Sequence, residues 1–237
     1  MATTKHLLIL ADSIKHWPGV CIAGCEIRSS GTYYQLRAWI RPVSQTGEGE
    51  LSLSETTLTN GKLPTALDFL QLNLVRHMKD RLQPENWLND DTQKWQSVNS
   101  LYQKPPWEIV VETPANIWVQ RDERTDRVSP EYLKKTPPAQ SLYLVHVPTI
   151  RARFEWKEFD GRYKQRRRAV FNYRGVAYEL NITDPKFSER YRSQFPAKGQ
   201  PANVFDVSPP NGCYLCVSLA PEFNGFHYKV VASIFET

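Results

Sequence analysis

The sequence has no apolar run long enough to cross a bilayer. Its N-terminal apolar run, 7–11, ends at Asp12 and is far shorter than the roughly 18 to 20 residues that a membrane helix needs. The same run is too short for the hydrophobic region of a signal peptide and predicts a strand. We therefore expect no membrane partner. Without an export signal, the four cysteines are expected to be reduced in the cytoplasm.

Glycine is scarce, and catalytic signatures are missing. Only 11 Gly stand beside 17 Pro, which excludes collagen-like and coiled-coil chains, and 41% apolar residues argue against disorder. The chain has no phosphate-binding glycine loop, nucleophile elbow, zinc-protease helix or dinucleotide fingerprint. Its five His lack metal-ligand spacing. We predict a non-enzymatic protein with no catalytic residue and no cofactor. A nuclease assembled from distant acids is an alternative without positive support.

Short strands dominate the pattern at both ends of the chain. Runs of β-branched and aromatic residues bounded by Pro, Gly, Asn and Asp predict strands at 6–11, 20–28, 33–41, 142–147, 151–157, 167–173, 176–182, 214–219 and 226–235. A short helix is predicted from Asp184 and Pro185 to about Phe195. The stretch 63–82 fits a helical stripe and strand alternation, and periodicity alone does not decide.

This pattern predicts a mostly β protein with two OB-like Greek-key barrels and a short helix in the second barrel. The first barrel is placed at 1–105, a connecting segment at 106–140 and the second barrel at 141–237. A Pro-rich stretch, 83–140, is expected to form a long irregular excursion in the middle. Strand count alone does not separate OB barrels from other all-β barrels.

Seven short runs, in order along the chain, carry a family resemblance. They are 21–24 (CIAG), 39–44 (WIRPVS), 83–88 (QPENWL), 126–129 (DRVS), 178–185 (YELNITDP), 213–219 (CYLCVSL) and 228–232 (YKVVA). The set resembles the dual OB-fold family, DuOB, found in prokaryotic conflict and phage-defence gene clusters. The resemblance implies a pair of OB barrels that senses nucleic acid beside other defence-system proteins. It also favours a strand at 67–77.

One segment carries nearly all of the net charge of +5. Between 151 and 174, nine basic and three acidic residues give +6, which leaves about −1 for the other 213 residues. In a strand, Arg151, Arg153 and Lys157 share the face opposite Phe154 and Trp156. Cations neutralise phosphates and aromatic rings stack bases at about 1 to 3 kcal/mol each, so this segment is typical of a single-stranded DNA or RNA site.

The predicted nucleic-acid-binding residues all belong to this segment. They are Arg151, Arg153, Trp156, Lys157, Arg162, Tyr163, Lys164, Arg166, Arg167, Arg168 and Arg174. We expect their hairpin at strands 2 and 3 of the second barrel, where OB folds hold oligonucleotides. One alternative is a hairpin that docks an acidic partner in a multi-component defence complex. Another is a hairpin whose charges are only solvated.

A candidate pocket is predicted at the mouth of the first barrel. It would combine a polar loop with an aromatic and arginine-bearing strand end, suited to a base or nucleotide. Its residues are Lys15, Trp17, Trp39, Arg41, Glu85 and Asn86. The architectural alternative, which we favour, places Trp39 in the core and pairs Arg41 with an acid such as Glu26.

The cysteines offer an alternative zinc site, at Cys21, Cys25, Cys213 and Cys216. Geometry argues against it, because residues three apart in a strand face opposite sides, as Cys213 and Cys216 would. Buried reduced thiols are the preferred interpretation, and we predict no metal. Gly212, a turn former beside Cys213, is the one feature that favours zinc.

Overall fold

A computed structural model of the chain describes residues 2–16, 19–30, 33–46, 49–98, 107–118, 125–159 and 161–237, with only the backbone at 15–16, 29–30, 33–37 and 108–109. The described residues form two compact units, one within 1–111 and 138–142 and the other within 112–137 and 143–237. Each unit is built on its own β-sheet. Among the described residues, no helix is long and apolar enough to cross a membrane.

The first unit is a closed five-stranded barrel. Its elements are β1 (Thr3–His16), β2 (Gly19–Ser30), β3 (Tyr33–Val43), α1 (Leu53–Thr56), β4 (Phe69–His77), β5 (Asn86–Asn89), β6 (Gln96–Ser97) and α2 (Trp107–Val110). The strands pair in the order β1-β2-β3-β5-β4, and a further pairing of β1 with β4 closes the ring. β3 and β5 are parallel, and α1 stands between β3 and β4. This arrangement is that of an OB barrel.

Strand β4 settles the ambiguous stretch in favour of a strand. Leu70, Leu72 and Leu74 alternate with less buried neighbours and point into the core of the first unit. There they pack among other buried aliphatic residues and Trp95, whose indole Nε1 donates to Asn89 Oδ1 at 3.0 Å. The implication of the family resemblance for this stretch is therefore confirmed.

The predicted irregular excursion is wrong at its N-terminal end. Within 83–140, β5 is a barrel strand that pairs in parallel with β3 and antiparallel with β4. Its four residues, Asn-Trp-Leu-Asn, are too few to show an alternation, and its parallel partner β3 lies more than 40 residues earlier. Local pattern therefore had no means of detecting it.

The second unit is an eight-stranded sheet. Its elements are β7 (Arg127–Val128), α3 (Pro130–Lys135), β8 (Leu142–Val147), β9 (Ile150–Phe159), β10 (Arg162–Tyr173), β11 (Val176–Ile182), α4 (Pro185–Arg190), a 3-10 turn (Arg192–Gln194), β12 (Asn203–Val207), β13 (Cys213–Phe223) and β14 (Phe226–Glu236). The main path of the sheet is β12-β9-β10-β11-β14-β13-β8, and β7 pairs with β14.

This sheet repeats the OB strand relations with one strand divided. β9, β10 and β11 form an antiparallel meander, and β11 is parallel to β14 as β3 is to β5. Two strands share the position that β4 holds in the first unit. β12 pairs with β9, as β4 does with β1, and β13 pairs with β14, as β4 does with β5. β9 and β10 are therefore the first and second OB strands, and β8 is an addition at the edge of the sheet. The predicted position of their hairpin, at strands 2 and 3, is wrong by one strand.

The predicted helix after β11 is confirmed and shortened. Asp184 caps α4, since its Oδ1 accepts a hydrogen bond from Phe187 N at 3.0 Å. Its Oδ2 accepts from Ile234 N at 2.8 Å, which ties the helix start to β14. Burial raises the pKa of Asp184, and these N–H donors only partly offset that effect.

The described residues of 112–137 belong to the second unit. Tyr178 stacks on Phe171, and its hydroxyl oxygen accepts a hydrogen bond from Ile117 N at 3.1 Å. The Tyr173 hydroxyl donates to Pro114 O at 2.9 Å. These contacts, with the pairing of β7 on β14, attach to this unit a stretch that sequence pattern predicts as a connection.

We expect Gly24→Ala to destabilise the protein severely. A Cβ at Gly24 would lie 2.1 Å from the Leu8 carbonyl oxygen, where β1 and β2 meet beside a bulge. Because backbone must move to relieve this clash, the expected loss in free energy of unfolding is on the order of 3 kcal/mol. Urea unfolding measures it. Gly61→Ala is the control: its added Cβ meets no atom within 4 Å, and the positive φ costs only about 1 to 2 kcal/mol. Equal losses would contradict the packing argument.

Candidate nucleic-acid interface

The β9–β10 hairpin has one inward and one outward face. Ala152 and Phe154 of β9 are buried, as are Ala169 and Phe171 of β10, which confirms the predicted alternation. Gly161, with φ of +72°, stands in the turn. The outward face therefore carries the odd-numbered residues of β9 and the even-numbered residues of β10.

The middle of the outward face is an ion-pair network rather than a field of free cations. Glu155 accepts Arg153 Nη2 at 2.7 Å and pairs with Arg166 Nη1 at 3.5 Å. Arg168 pairs with Glu179 at 3.4 Å and with Asp126 at 3.5 Å. Three arginines thus meet three carboxylates. The charge counted along the sequence is largely neutralised here.

Arg168 is the buried centre of this network. Its residue is only 4% exposed, and its guanidinium also donates to Asn181 Oδ1 at 3.2 Å and to the Glu179 carbonyl. Burial, and next the charge of Arg166, lower the pKa of Arg168 against the opposing effect of the carboxylates. This side chain holds β10, β11 and residue 126 together and is not available to a phosphate.

Arg167 and Trp156 point to the other side of the hairpin. The Arg167 guanidinium lies over the Phe195 ring, 5.0 Å from its centroid, and burial lowers its pKa. Trp156 packs edge-on against Phe195 and donates from Nε1 to Pro196 O at 2.9 Å. Both side chains anchor the segment that follows α4. Arg167, Arg168 and Trp156 therefore have structural partners within the unit, and only part of the predicted set of eleven residues lies on an open surface.

The end of the hairpin keeps the predicted basic and aromatic character. We call Lys157, Phe159, Arg162, Tyr163 and Lys164 the hairpin tip. Lys157 lies opposite Lys164, and Phe159 opposite Arg162. The two aromatic rings are exposed, at 45% for Phe159 and 46% for Tyr163. None of the three cations forms an ion pair with a carboxylate in the part of the chain that the structure describes.

A fourth cation joins the hairpin tip from outside the predicted set. Lys198 Nζ lies 4.5 Å from the centroid of the Tyr163 ring. Its only sequence signal is a basic residue in a polar stretch, because the contact joins segments 35 residues apart. The hairpin tip thus combines cations with two exposed rings, Phe159 on the outward face and Tyr163 on the other. Cations and exposed rings are the groups that phosphates and bases respectively require.

Two other predicted arginines lie away from the tip. Arg151 pairs with Asp206 at 3.1 Å on an open surface, where an ion pair contributes little to stability. Arg174, with φ of +50°, occupies the β10–β11 turn at the opposite end of β10, its guanidinium 5.9 Å from the Tyr173 ring centroid. Neither residue is grouped with the hairpin tip.

In the first unit the candidate pocket is a buried polar network. Arg41 Nη2 lies 3.4 Å from Glu85 Oε1, and Arg41 Nη1 donates to Asn86 Oδ1 at 3.5 Å. The Glu85 carboxylate also accepts from the backbone N and the hydroxyl of Ser141. Arg41, Glu85, Asn86 and Trp39 are all buried. The structure brings these four residues into the interior, as the architectural alternative expects, and not to an open mouth.

The acid that pairs with Arg41 is Glu85. Glu26, the example suggested by the sequence, accepts Lys5 Nζ at 2.8 Å and also pairs with Arg28. Burial alone would raise the pKa of Glu26, but these two cations lower it overall. The Lys15 side chain and Trp17 lie outside the described residues.

The four cysteines are free thiols in strands. Cys213, Cys216 and Cys25 are buried, and burial raises the pKa of Cys213 to about 12. The described residues contain no group of three or more His, Cys, Asp or Glu side chains placed to hold a metal ion. Gly212 has a packing reason, since a Cβ there would lie 2.6 Å from His146 Nε2 and 2.7 Å from Val147 O.

Residues 5–234 match the family described as dual OB-containing domain. The match spans nearly the whole chain and includes both units. The chain belongs to this family. The dual OB-containing protein is also similar to a solved structure described as a murine DNA binding protein bound with double-stranded DNA. The similarity covers 99% of this chain and 96% of that one, at 8% identity and a TM-score of 0.28, which is too low to inform function. No curated protein matches the chain.

We expect Arg168→Ala to destabilise the protein while Lys164→Ala, four residues away on the same face, does not. Removing Arg168 leaves the largely buried Asp126 without its counter-charge and takes from Glu179 one of its two arginine partners, which costs on the order of 3 kcal/mol. Lys164 is exposed, so its loss is expected to stay within about 0.5 kcal/mol. Thermal and urea unfolding of both variants make the comparison. A stable Arg168→Ala variant would show that the network is not structural.

Proposed function

We propose that the second OB unit of this protein binds single-stranded DNA or RNA through the hairpin tip, without catalysing a reaction. The observation that supports this most directly is the contrast along one hairpin. Arginines in its middle are paired with carboxylates, while Lys157, Arg162 and Lys164 at its end form no ion pair with any described carboxylate.

The place of the tip in the fold supports the same proposal. The β9–β10 turn connects the first and second OB strands, and this loop is one of those with which OB folds hold oligonucleotides. Phe159 and Tyr163 supply exposed rings beside the cations. Aromatic stacking tolerates any base, so this surface suits binding with little sequence preference.

The family resemblance extends the proposal to a setting. We propose that the protein acts as a cytoplasmic sensor or adaptor in a prokaryotic defence system, where it works with other proteins of that system. Its four thiols are free, which suits a reducing compartment. Purification without nuclease, followed by identification of co-eluting nucleic acid and proteins, tests this setting.

We expect Lys157→Ala/Arg162→Ala/Lys164→Ala to weaken binding to a fluorescent oligo-dT or oligo-U strand and to flatten its salt dependence. Each lost phosphate contact on a single strand lowers the slope of log K against log salt by about 0.7, so the triple variant should lose about 2. Fluorescence anisotropy at several salt concentrations measures the slope.

The matched control is Lys62→Ala/Lys94→Ala/Lys134→Ala, which removes the same charge from exposed positions elsewhere. This control should keep the wild-type slope. Equal slopes for the two triple variants would reject the hairpin tip as the phosphate-binding surface. A wild-type protein that ignores oligonucleotides at low salt would reject the proposal and support docking of an acidic partner protein instead.

A further inference from the structure

A group of three aromatic residues, of which Phe223 is exposed, lies at the turn between β13 and β14. Phe223 and Phe226 face each other across Asn224 and Gly225, which have φ of +49° and +79°. A two-residue Asn-Gly turn with both residues at positive φ is a favoured link for a tight hairpin. The turn therefore presents two aromatic side chains at a defined spacing.

The rings of this turn share the outward face. Cross-strand partners point to the same side, and Tyr228 follows Phe226 by two residues, so the three rings stand together. Both Phe223 and Phe226 have ring centroids 6.4 Å from that of Tyr228. Arg127 of β7 lies opposite Tyr228 and places its guanidinium carbon 4.1 Å from the Phe226 centroid. We call Arg127, Phe223, Phe226 and Tyr228 the aromatic platform.

The intervening residues point to the interior, which confirms this orientation. His227 is buried, and its Nδ1 lies 3.0 Å from Ala220 O. Lys229 is buried with its Nζ 5.7 Å from the Tyr178 ring centroid. Phe223, by contrast, is 55% exposed. The Phe223 ring is thus exposed on the outward face of the sheet, on the side away from the core.

The distribution of the exposed apolar side chains favours a nucleobase over a protein segment. In the described part of the second unit, the large exposed apolar residues are Phe159, Tyr163, Val204 and Phe223. Three of the four are aromatic, and those three lie at the ends of the β9–β10 and β13–β14 hairpins. These few, separated side chains offer stacking faces for bases but not the large contiguous apolar patch that marks a protein interface.

We propose that the aromatic platform is a second contact site for the same single strand, where a base stacks on Phe223 and Arg127 contacts an adjoining phosphate. This inference rests on the proposed function of the hairpin tip. The β13–β14 turn is the connection between the fourth and fifth OB strands, the other loop that OB folds use for oligonucleotides.

Strand register gives the length of strand required. In the register of the sheet, Arg168 lies opposite Asn181 and Asn181 lies opposite Val230, so Lys164 of the hairpin tip and Phe226 of the platform are each four residues from this line, on opposite sides of it and on the same outward face. At roughly 3.3 Å per residue they are about 26 Å apart along the strands, the length of roughly eight stacked nucleotides. Between them lie the paired arginines and carboxylates, whose charges cancel. Phosphate contacts are therefore concentrated at the two ends of the path.

The test compares Phe223→Ala with Leu63→Ala, an exposed apolar residue of the first unit, on dT4 and dT12 probes. Phe223→Ala should weaken dT12 binding at least about fivefold and leave dT4 binding at the hairpin tip unchanged. Phe223→Trp should restore dT12 affinity, because the larger ring stacks as well. Arg127→Ala should also weaken dT12 binding, with Arg127→Lys in between. Thermal unfolding of each variant shows that the fold is kept.

The outcomes separate this inference from the proposed function. If the triple variant of the hairpin tip weakens binding but Phe223→Ala binds dT12 as tightly as Leu63→Ala does, the platform is overturned and the proposed function stands. Equal weakening on dT4 and dT12 would overturn a strand that spans both sites. No binding of either probe to the wild-type protein would overturn the proposed function together with this inference.

Discussion

A strand with Arg166, Arg167 and Arg168 in succession enters a folded sheet only if each charge is given a partner or a route to solvent. In the second unit each of the three arginines contacts different partners. Arg168 is buried among Glu179, Asp126 and Asn181, and Arg167 lies over aromatic rings. Arg166 shares Glu155 with Arg153. Burial of a charge without such partners costs several kcal/mol, so the sheet depends on this network.

The same network determines where the protein offers free charge. Carboxylates occupy the middle of the outward face of β9, β10 and β11 and leave it nearly neutral. Beyond the reach of Glu155, the hairpin continues to Lys157 and Lys164 without a described acidic partner on that face. Basicity that looks continuous along the sequence is thereby confined to one end of a hairpin. The aromatic platform stands at the other end of the sheet, where Arg127 covers Phe226.

Local pattern was a good guide to the strands. Leu142–Val147 and Val176–Ile182 have the predicted bounds, since alternating apolar residues end at clear turn residues. The strands that the sequence pattern does not predict, β5, β6, β7 and β12, have two to five residues. Such short strands show little alternation, and they form because distant neighbours provide hydrogen-bonding edges. The platform has a local signal in Phe-Asn-Gly-Phe at 223–226, an aromatic pair around a hairpin turn.

The sequence by itself determined that this is a β protein of two OB units, because hairpin turns, alternation and short family runs are local and survive in the linear order. It also determined that one hairpin carries the excess charge. Only the tertiary structure decided which cations are available. The partners of Arg168 are 11 and 42 residues away, and Lys198 reaches Tyr163 across 35 residues. Charge neutralisation acts through space over a few ångströms, and the order of residues along the chain does not reveal which groups will come that close.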